Sequence, residues 1–208
     1  MYLPSHFRSD DLESALAEMR AHPLASLISV DETGLPFVSH LPLHVLPPHE
    51  GGALRLLGHC ARANPHWKLL QAHPRALVSF LGPQAYQSPR IYPDLQRVPS
   101  WNYVAVQCTV QARLIEDADD KDRLLKCLIG DHEPAYAQQW RGLDAAFTQR
   151  MLAGIVGLEL EVTAWQCKIK LNQHRPESHA AMRAGYEAGG ESGQALAAWM
   201  DRLGMGRP

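Results

Sequence analysis

The stretch Gly58-His59-Cys60-Ala61-Arg62-Ala63-Asn64-Pro65-His66-Trp67-Lys68 indicates a chain that leaves a strand and enters a helix. An apolar run at residues 53–57 predicts the strand. Asn64-Pro65 is typical of a helix N-cap followed by proline at the first helical position. Free backbone N–H groups at that helix start, together with the Arg62 guanidinium, predict a site that binds an anion such as a phosphate.

Acidic residues are missing from a long window around this stretch. Residues 51–93 contain no Asp or Glu, whereas five Lys or Arg residues occur there. Two interpretations stay open at this point. The window provides a positive field for a bound anion, or it reflects chance and solvated surface.

Composition excludes several classes of protein. The chain has 208 residues, 46% of them hydrophobic, and a formal net charge of −2, so no overall basic field favours nucleic acid. The four cysteines are far apart and form no Cys-x-x-Cys pair, which is typical of reduced thiols in a cytoplasmic protein. No apolar run is long enough to span a bilayer, and the first residues do not resemble a signal peptide. We therefore expect a cytoplasmic protein without a membrane segment.

Hydrophobic periodicity predicts mainly antiparallel strands with flanking helices. A capping box formed by Asp10 and Glu13 predicts a helix at residues 10–22. Pro36 and Pro42 favour an edge position, a bulge or an interrupted ladder for the strand that contains them. Residues 82–100 are expected to form a loop rich in proline and aromatic residues. The predicted strands lie at 25–30, 35–46, 53–59, 76–81, 101–115 and 155–171, and further helices at 64–72, 116–129 and 143–152. These elements predict a small antiparallel barrel.

Three other groups of residues could carry chemistry. The segment 98–103 combines hydroxyl, amide and aromatic groups and suits an aromatic heterocycle, although it could equally close one end of the barrel. Lys168 and Lys170 share one face of a strand, which brings two ammonium groups together or protects a solvated sheet edge. His40 and His44 also share a face, but no third ligand has metal-site spacing, so we predict no metal.

Several of these segments occur in the order found in one family. They are residues 1–7, 39–43, 58–65, 98–103, 154–157 and 170–175. Together they resemble the PaiB family of FMN-binding negative transcriptional regulators. The resemblance covers about residues 1–175, which we expect to form the FMN-binding domain, with a helical tail at 176–208.

The resemblance implies a fold, a cofactor and an assembly. The fold would be a six-stranded antiparallel split β-barrel related to pyridoxamine-phosphate-oxidase-like proteins. The chain would form a homodimer that holds FMN near the subunit interface. The resemblance assigns the isoalloxazine to Ser39, His40 and Leu41. It assigns the phosphate end to His59, Ala61, Arg62 and Asn64. Trp101 and Asn102 would border the flavin, and Lys170, Gln173 and Arg175 would close the site.

The sequence also departs from the family pattern. Gln107 stands where a histidine is expected, Val110 where a glycine is expected and Ile91 where a tryptophan is expected, while Asn172 and His174 vary the last motif. These changes would widen the open face of the flavin or weaken its occupancy.

Two functions follow from the resemblance and the residues. The first is a dimeric, flavin-dependent negative transcriptional regulator. The alternative is a flavin-dependent oxidoreductase or a haem-utilisation-type enzyme acting on a small heterocycle, with Tyr103 and His40 as candidate acid–base groups. Direct, tight binding to DNA is not expected, because the net charge is −2 and the tail from Arg175 carries four basic and four acidic residues.

Overall fold

The structure is a computed structural model that describes residues 1–49, 51–94 and 96–206. Leu95, in the predicted loop, and the last two residues of the predicted tail lie outside the described residues. The strands are β1 (Arg8–Ser9), β2 (Leu24–Val30), β3 (Pro36–Pro42), β4 (His44–Leu46), β5 (Arg55–Ala61), β6 (Arg75–Gln87), β7 (Ser100–Ile115) and β8 (Ile155–Lys170). The helices are α1 (Leu12–Ala21), α2 (His66–Ala72), α3 (Ala118–His132), α4 (Tyr136–Arg141), α5 (Ala145–Ala153), α6 (His179–Glu187) and α7 (Glu191–Arg202).

The strands belong to one sheet, ordered β3-β2-β6-β7-β8-β5-β4, with β1 paired to β8. The pairings with a defined register are antiparallel, as predicted. Within the described chain the sheet has eight strands where six were expected, because the strand predicted at 35–46 is divided into β3 and β4 and the two-residue β1 is additional. Pro36 and Pro42 bound β3, which lies at one end of the strand order. The predicted edge position is therefore confirmed.

The chain divides into two compact units. Unit 1 comprises Met1–Glu18, Leu81–Val106 and Gln166–Pro208, and unit 2 comprises Met19–Phe80 and Gln107–Trp165. The domain bounds inferred from the sequence, 1–175 and 176–208, remain a prediction.

Unit 2 buries the alternate residues of its strands. In β2, Leu27 is fully buried and pairs with Val78 of β6, which is also fully buried. A second cluster joins Leu57 of β5 to Leu124 and Leu128 of α3. Asp117 accepts hydrogen bonds from the N–H groups of Asp119 and Asp120, both at 3.0 Å, and so caps α3.

Unit 1 is built around the C-terminal helices. Met182 of α6 and Leu196 and Met200 of α7 are buried. Arg183 of α6 donates two hydrogen bonds to the carboxylate of Asp201 in α7, at 2.8 and 3.2 Å. The C-terminal segment is helical, as predicted. No helix among the described residues is both long and apolar enough to cross a bilayer.

Four local predictions need correction. The cap of α1 is Asp11, whose carboxylate accepts from the N–H of Ser14 at 3.1 Å, whereas Asp10 pairs with Arg8. Strand β6 continues to Gln87, into the segment predicted as a loop. Helix α4 has no counterpart among the predicted elements. Finally, β8 lies inside the strand order, so its lysines do not protect a sheet edge.

Candidate functional site

The turn that enters α2 in unit 2 has the predicted cap but few free N–H groups. Pro65 has helical φ and ψ of −69° and −7°, and the side-chain oxygen of Asn64 accepts from the N–H of His66 at 3.0 Å. The N–H of Asn64 donates to Ala61 at 2.9 Å, and the N–H of Arg62 donates to Gly154 at 2.8 Å. Three of the backbone donors expected to hold an anion are thus used within the protein.

The Arg62 guanidinium is bound by a carboxylate. Its two terminal nitrogens donate to the two oxygens of Glu116, at 2.9 and 2.5 Å, and one of them also donates to the carbonyl of Ile155 at 3.2 Å. This hydrogen bonding lowers the pKa of the Glu116 carboxyl. A guanidinium has five N–H donors, so Nε–H and one Nη1–H of Arg62 have no partner in the described part of the chain. Glu116 therefore orients Arg62 and still leaves two donors for a ligand.

A buried polar network lies behind this turn. The hydroxyl of Ser39 accepts from the side-chain amide of Asn64 and lies 2.9 Å from Nδ1 of His66, whose Nε2 lies 3.0 Å from the hydroxyl of Ser29. His66 is fully buried, which lowers its pKa to about 4. Its ring is therefore neutral at physiological pH and fixes the turn against β2 and β3.

His66 and Ser29 were not predicted as site residues from the sequence. Ser29 and Ser39 stand at inward-facing positions of β2 and β3, and buried hydroxyls need hydrogen-bond partners. Serines at inward-facing strand positions were therefore the sequence signal that could have indicated this buried network.

His59 lines an apolar groove. The groove, of about 330 Å³, is lined by His59 together with Leu125, Leu128 and Trp140. Burial lowers the pKa of His59, and its Nδ1 is buried without a hydrogen-bond partner among the described residues. A neutral imidazole with an unused nitrogen suits a neutral polar group better than a phosphate.

The other predicted residues of unit 2 differ in exposure. Leu41 is buried, whereas His40 and Ala61 are exposed. Nδ1 of His40 lies 3.1 Å from the hydroxyl of Ser26. Within the described residues no group of three or more His, Cys, Asp or Glu side chains is placed to hold a metal ion.

In unit 1, Trp101 and Asn102 occupy different environments. Trp101 is 49% exposed and donates from Nε1 to Gln84 at 2.9 Å. Asn102 is fully buried and donates from its amide nitrogen to the hydroxyl of Tyr186 at 2.8 Å and to Gln87 at 3.2 Å. Its side-chain oxygen is buried and lacks a partner in the described chain. Only Trp101 thus presents an accessible surface to a ligand.

The last three predicted residues lie at and after the end of β8. Lys170 donates from Nζ to the hydroxyl of Ser100 at 2.8 Å. Gln173 bonds to the backbone at both ends of its amide, with the oxygen accepting from Leu171 at 3.0 Å and the nitrogen donating to Ile169 at 2.5 Å. Arg175 lies 4.0 Å from Glu177. Gln173 therefore shapes the chain, while Lys170 and Arg175 line a cavity.

The structure therefore gathers the predicted residues into two sets. Seven lie in unit 2: Ser39, His40, Leu41, His59, Ala61, Arg62 and Asn64. Five lie in unit 1: Trp101, Asn102, Lys170, Gln173 and Arg175.

Comparisons with known proteins support a flavoprotein. A family model described as "Putative FMN-binding domain" matches residues 1–164. The Bacillus subtilis protein named protease synthase and sporulation protein PAI 2 is 29% identical over 180 residues, which cover 86% of this chain and 84% of that protein. An uncharacterised protein of Saccharomyces cerevisiae is 30% identical over 149 residues, which cover 62% of this chain and 86% of that protein. These matches confirm the resemblance inferred from the sequence and support FMN as the cofactor.

Solved structures share the fold at low identity. The flavocytochrome Anf3 of Azotobacter vinelandii aligns with a TM-score of 0.64 and 20% identity, over 80% of this chain and 70% of that one. The FAD and haem binding protein of Mycobacterium smegmatis aligns with a TM-score of 0.58 and 21% identity, over 78% of this chain and 73% of that one. At these identities the likeness shows the fold alone.

Proposed function

Because this chain belongs to the FMN-binding domain family, we propose that it is a flavin-responsive regulator, a homodimer that binds FMN without a covalent bond. Its four cysteines are free thiols, which supports a place in the reducing cytoplasm. The name of the Bacillus subtilis relative, protease synthase and sporulation protein PAI 2, refers to sporulation, and this supports a regulatory role.

One observation supports the assignment of the flavin to a particular residue. Nδ1 of His59 is a buried polar atom without a hydrogen-bond partner in the described chain, and His59 lines a groove of about 330 Å³. His59 belongs to the set that the family resemblance assigns to the flavin. Leaving a buried polar group unpaired costs about 1–3 kcal/mol, so a ligand group that pairs with this nitrogen recovers that free energy. FMN carries amide, carbonyl and hydroxyl groups that can make such bonds.

Arg62 supports the assignment of the phosphate end. Its guanidinium is held in place by Glu116 and keeps two N–H donors, and its side chain is 39% exposed. A phosphate accepts well from an oriented guanidinium. The chemistry of this residue therefore fits the phosphate of FMN, which would supply the only dianionic group of the ligand.

The test is reconstitution with FMN, followed by desalting and measurement of flavin absorbance. We expect retained flavin at about one per chain, and R62Q should weaken FMN binding by about tenfold or more. R113Q is the matched control, because Arg113 is also surface-exposed and also pairs with a glutamate, Glu159. If the wild-type protein retains no flavin and titration detects none, the proposal fails. If R62Q and R113Q bind FMN equally, the assignment of the phosphate end fails.

An oxidoreductase is the second candidate, and the cavity of unit 1 supports it. That cavity is lined by Lys170 and Arg175, two residues that the resemblance places around the flavin. Anaerobic reduction of the bound flavin, followed by reoxidation with and without small heterocycles or haem, separates the two functions. Substrate-dependent turnover would favour the enzyme, and its absence would favour the regulator.

Homodimerisation and DNA contact need their own measurements. Light scattering of the FMN-loaded protein should give twice the mass of the chain, and a monomer would contradict the proposed assembly. Gel shifts with promoter DNA at physiological salt should show no nanomolar binding, since the chain has a net charge of −2. Specific nanomolar binding would make the regulator a direct one.

A further inference from the structure

Unit 1 contains a cavity of about 460 Å³ that we call the N-terminal cavity. It lies between residues 2–7, the segments 92–94 and 96–100, and residues 170–175 at the end of β8. Its volume is within the range of pockets that bind small molecules, which is about 300–1,000 Å³. The match to the family model ends at residue 164, before Lys170, which lines this cavity.

The cavity contains one cation that lacks a counter-charge. Lys170 is half-buried, and Nζ is held at 2.8 Å from the hydroxyl of Ser100. Burial lowers the pKa of Lys170, and the positive charge of the neighbouring Lys168 lowers it further. In the described residues no carboxylate lies within ion-pair distance of Lys170 Nζ. An anion entering the cavity would therefore compensate a charge that the protein leaves unpaired.

The arginines of the cavity each have a carboxylate neighbour. Arg97 pairs with Asp94 at 2.7 Å, and Arg175 lies 4.0 Å from Glu177. Among the described residues that line the cavity, only the charge of Lys170 has no carboxylate within ion-pair distance, so the cavity suits an anion with a single negative charge. A carboxylate meets that condition, whereas a phosphate dianion would need further donors.

Aromatic rings form the other walls. The rings of His6 and His174 have their centroids 4.9 Å apart, and Phe7 lies 5.8 Å from His174. The hydroxyl of Tyr92 accepts from the side-chain amide of Asn172 at 2.5 Å, which fixes that ring. Rings of this kind pack well against another flat ring.

We propose that the N-terminal cavity binds a small aromatic carboxylate, with Lys170 and Ser100 holding the carboxylate and Phe7, His174 and Tyr92 flanking the ring. The hydroxyl of Ser100 orients the ammonium and can itself donate to a carboxylate oxygen. This site is built around a lysine of unit 1, whereas Arg62, which we assign to the FMN phosphate, belongs to unit 2.

The test uses FMN-saturated protein and fluorine NMR of para-fluorobenzoate. We expect broadening of the fluorine signal, and K170M should lower the affinity about tenfold or more, since it removes a charge-assisted hydrogen bond to the carboxylate. K170R should restore part of the affinity. K126M is the matched control, because Lys126 is a lysine of α3 that pairs with Asp122.

Two probes test the ring and the charge without any substitution. Para-fluorobenzamide has the ring but no charge, and cyclohexanecarboxylate has the charge but no flat ring, so both should compete at least about fivefold more weakly. If K170M does not fold, as judged by circular dichroism, these two comparisons on the wild-type protein decide the outcome.

Three results would overturn the proposal. The first is a fluorine signal that does not broaden at about 10 mM para-fluorobenzoate. Binding that is undetectable at this concentration is weaker than the millimolar affinity of specific small ligands. The second is equal binding of para-fluorobenzamide. The third is loss of bound para-fluorobenzoate when FMN is titrated into the FMN-free protein, which would assign the cavity to the flavin instead. Each result leaves the FMN proposal itself to be judged by flavin retention.

Discussion

Glu18 couples the stability of unit 1 to pH. Its side chain is 2% exposed, and its carboxylate accepts from Nε1 of Trp199 in α7 at 3.0 Å. At Gly82 the carboxylate comes so close that a Cβ atom built there would lie 1.6 Å from Oε1. Burial raises the pKa of Glu18 to about 7 from its ordinary value of 4.5, although the bond to Trp199 and the charge of Arg202 oppose the shift.

The direction of the effect follows from proton binding. Between about pH 4.5 and pH 7 the folded protein keeps a proton on Glu18 that the unfolded chain has lost. The free energy of unfolding therefore falls as the pH rises through this window. The shift corresponds to about 3 kcal/mol, at 1.36 kcal/mol per pH unit. This loss in the free energy of unfolding is complete above about pH 7 and absent below about pH 4.5.

The substitution E18Q removes the titration and keeps an oxygen that can accept from Trp199. We expect E18Q to be more stable than the wild-type protein by up to about 3 kcal/mol at about pH 8, with a difference close to zero at about pH 4.5. Urea unfolding followed by tryptophan fluorescence measures this difference across the pH range. E13Q is the matched control, because Glu13 is an exposed glutamate of the same helix. A difference between E18Q and wild type that does not change with pH would refute the reasoning.

Three further predictions concern unit 2. Burial lowers the pKa of His66 to about 4, so the free energy of unfolding should fall by up to about 3 kcal/mol as the pH drops from 6.5 to 4. Glutamine does not take up a proton in this range, so acid unfolding should start at lower pH in H66Q than in the wild-type protein. G58A should lower the free energy of unfolding by about 1–3 kcal/mol, because a Cβ atom there would lie 2.5 Å from the side chain of Leu43. The control G130A places its Cβ atom in open space on α3 and should not destabilise the protein. Thermal unfolding of the two variants compares them. D117A should destabilise by about 1 kcal/mol in urea unfolding, since it removes two capping bonds, and an unchanged stability would contradict the cap.

Local signals in the sequence identified most of the sheet. Alternating apolar residues predicted strands that the structure contains, and Pro36 and Pro42 predicted the edge because proline cannot complete a strand ladder. Asn64 was predicted as the cap of α2 because it directly precedes Pro65. Strand β6 was predicted to end early, since the segment from Gly82 onward is rich in proline and aromatic residues. The buried carboxylate of Glu18 explains a glycine there, and it is 64 residues away in the sequence.

The parts of the site that could not be predicted depend on distant partners. Nothing near Arg62 in the sequence indicates that Glu116 binds its guanidinium, because the two residues are 54 positions apart. The two lysines of β8 had the pattern of a solvated edge, yet Lys168 is 6% exposed and donates to the carbonyl of Tyr2 at 3.0 Å. Such pairs arise from sheet topology, which a single sequence does not reveal.

The division of the chain has a consequence for its synthesis. Unit 2 ends at Trp165, whereas unit 1 needs both residues 1–18 and residues 166–208. On the ribosome the middle of the chain is therefore complete first, and the earliest residues wait for the latest ones. During this interval Leu16, fully buried in the finished protein, has no completed unit around it. Nascent chains stalled before residue 166 should thus be targets for chaperones that hold exposed apolar segments.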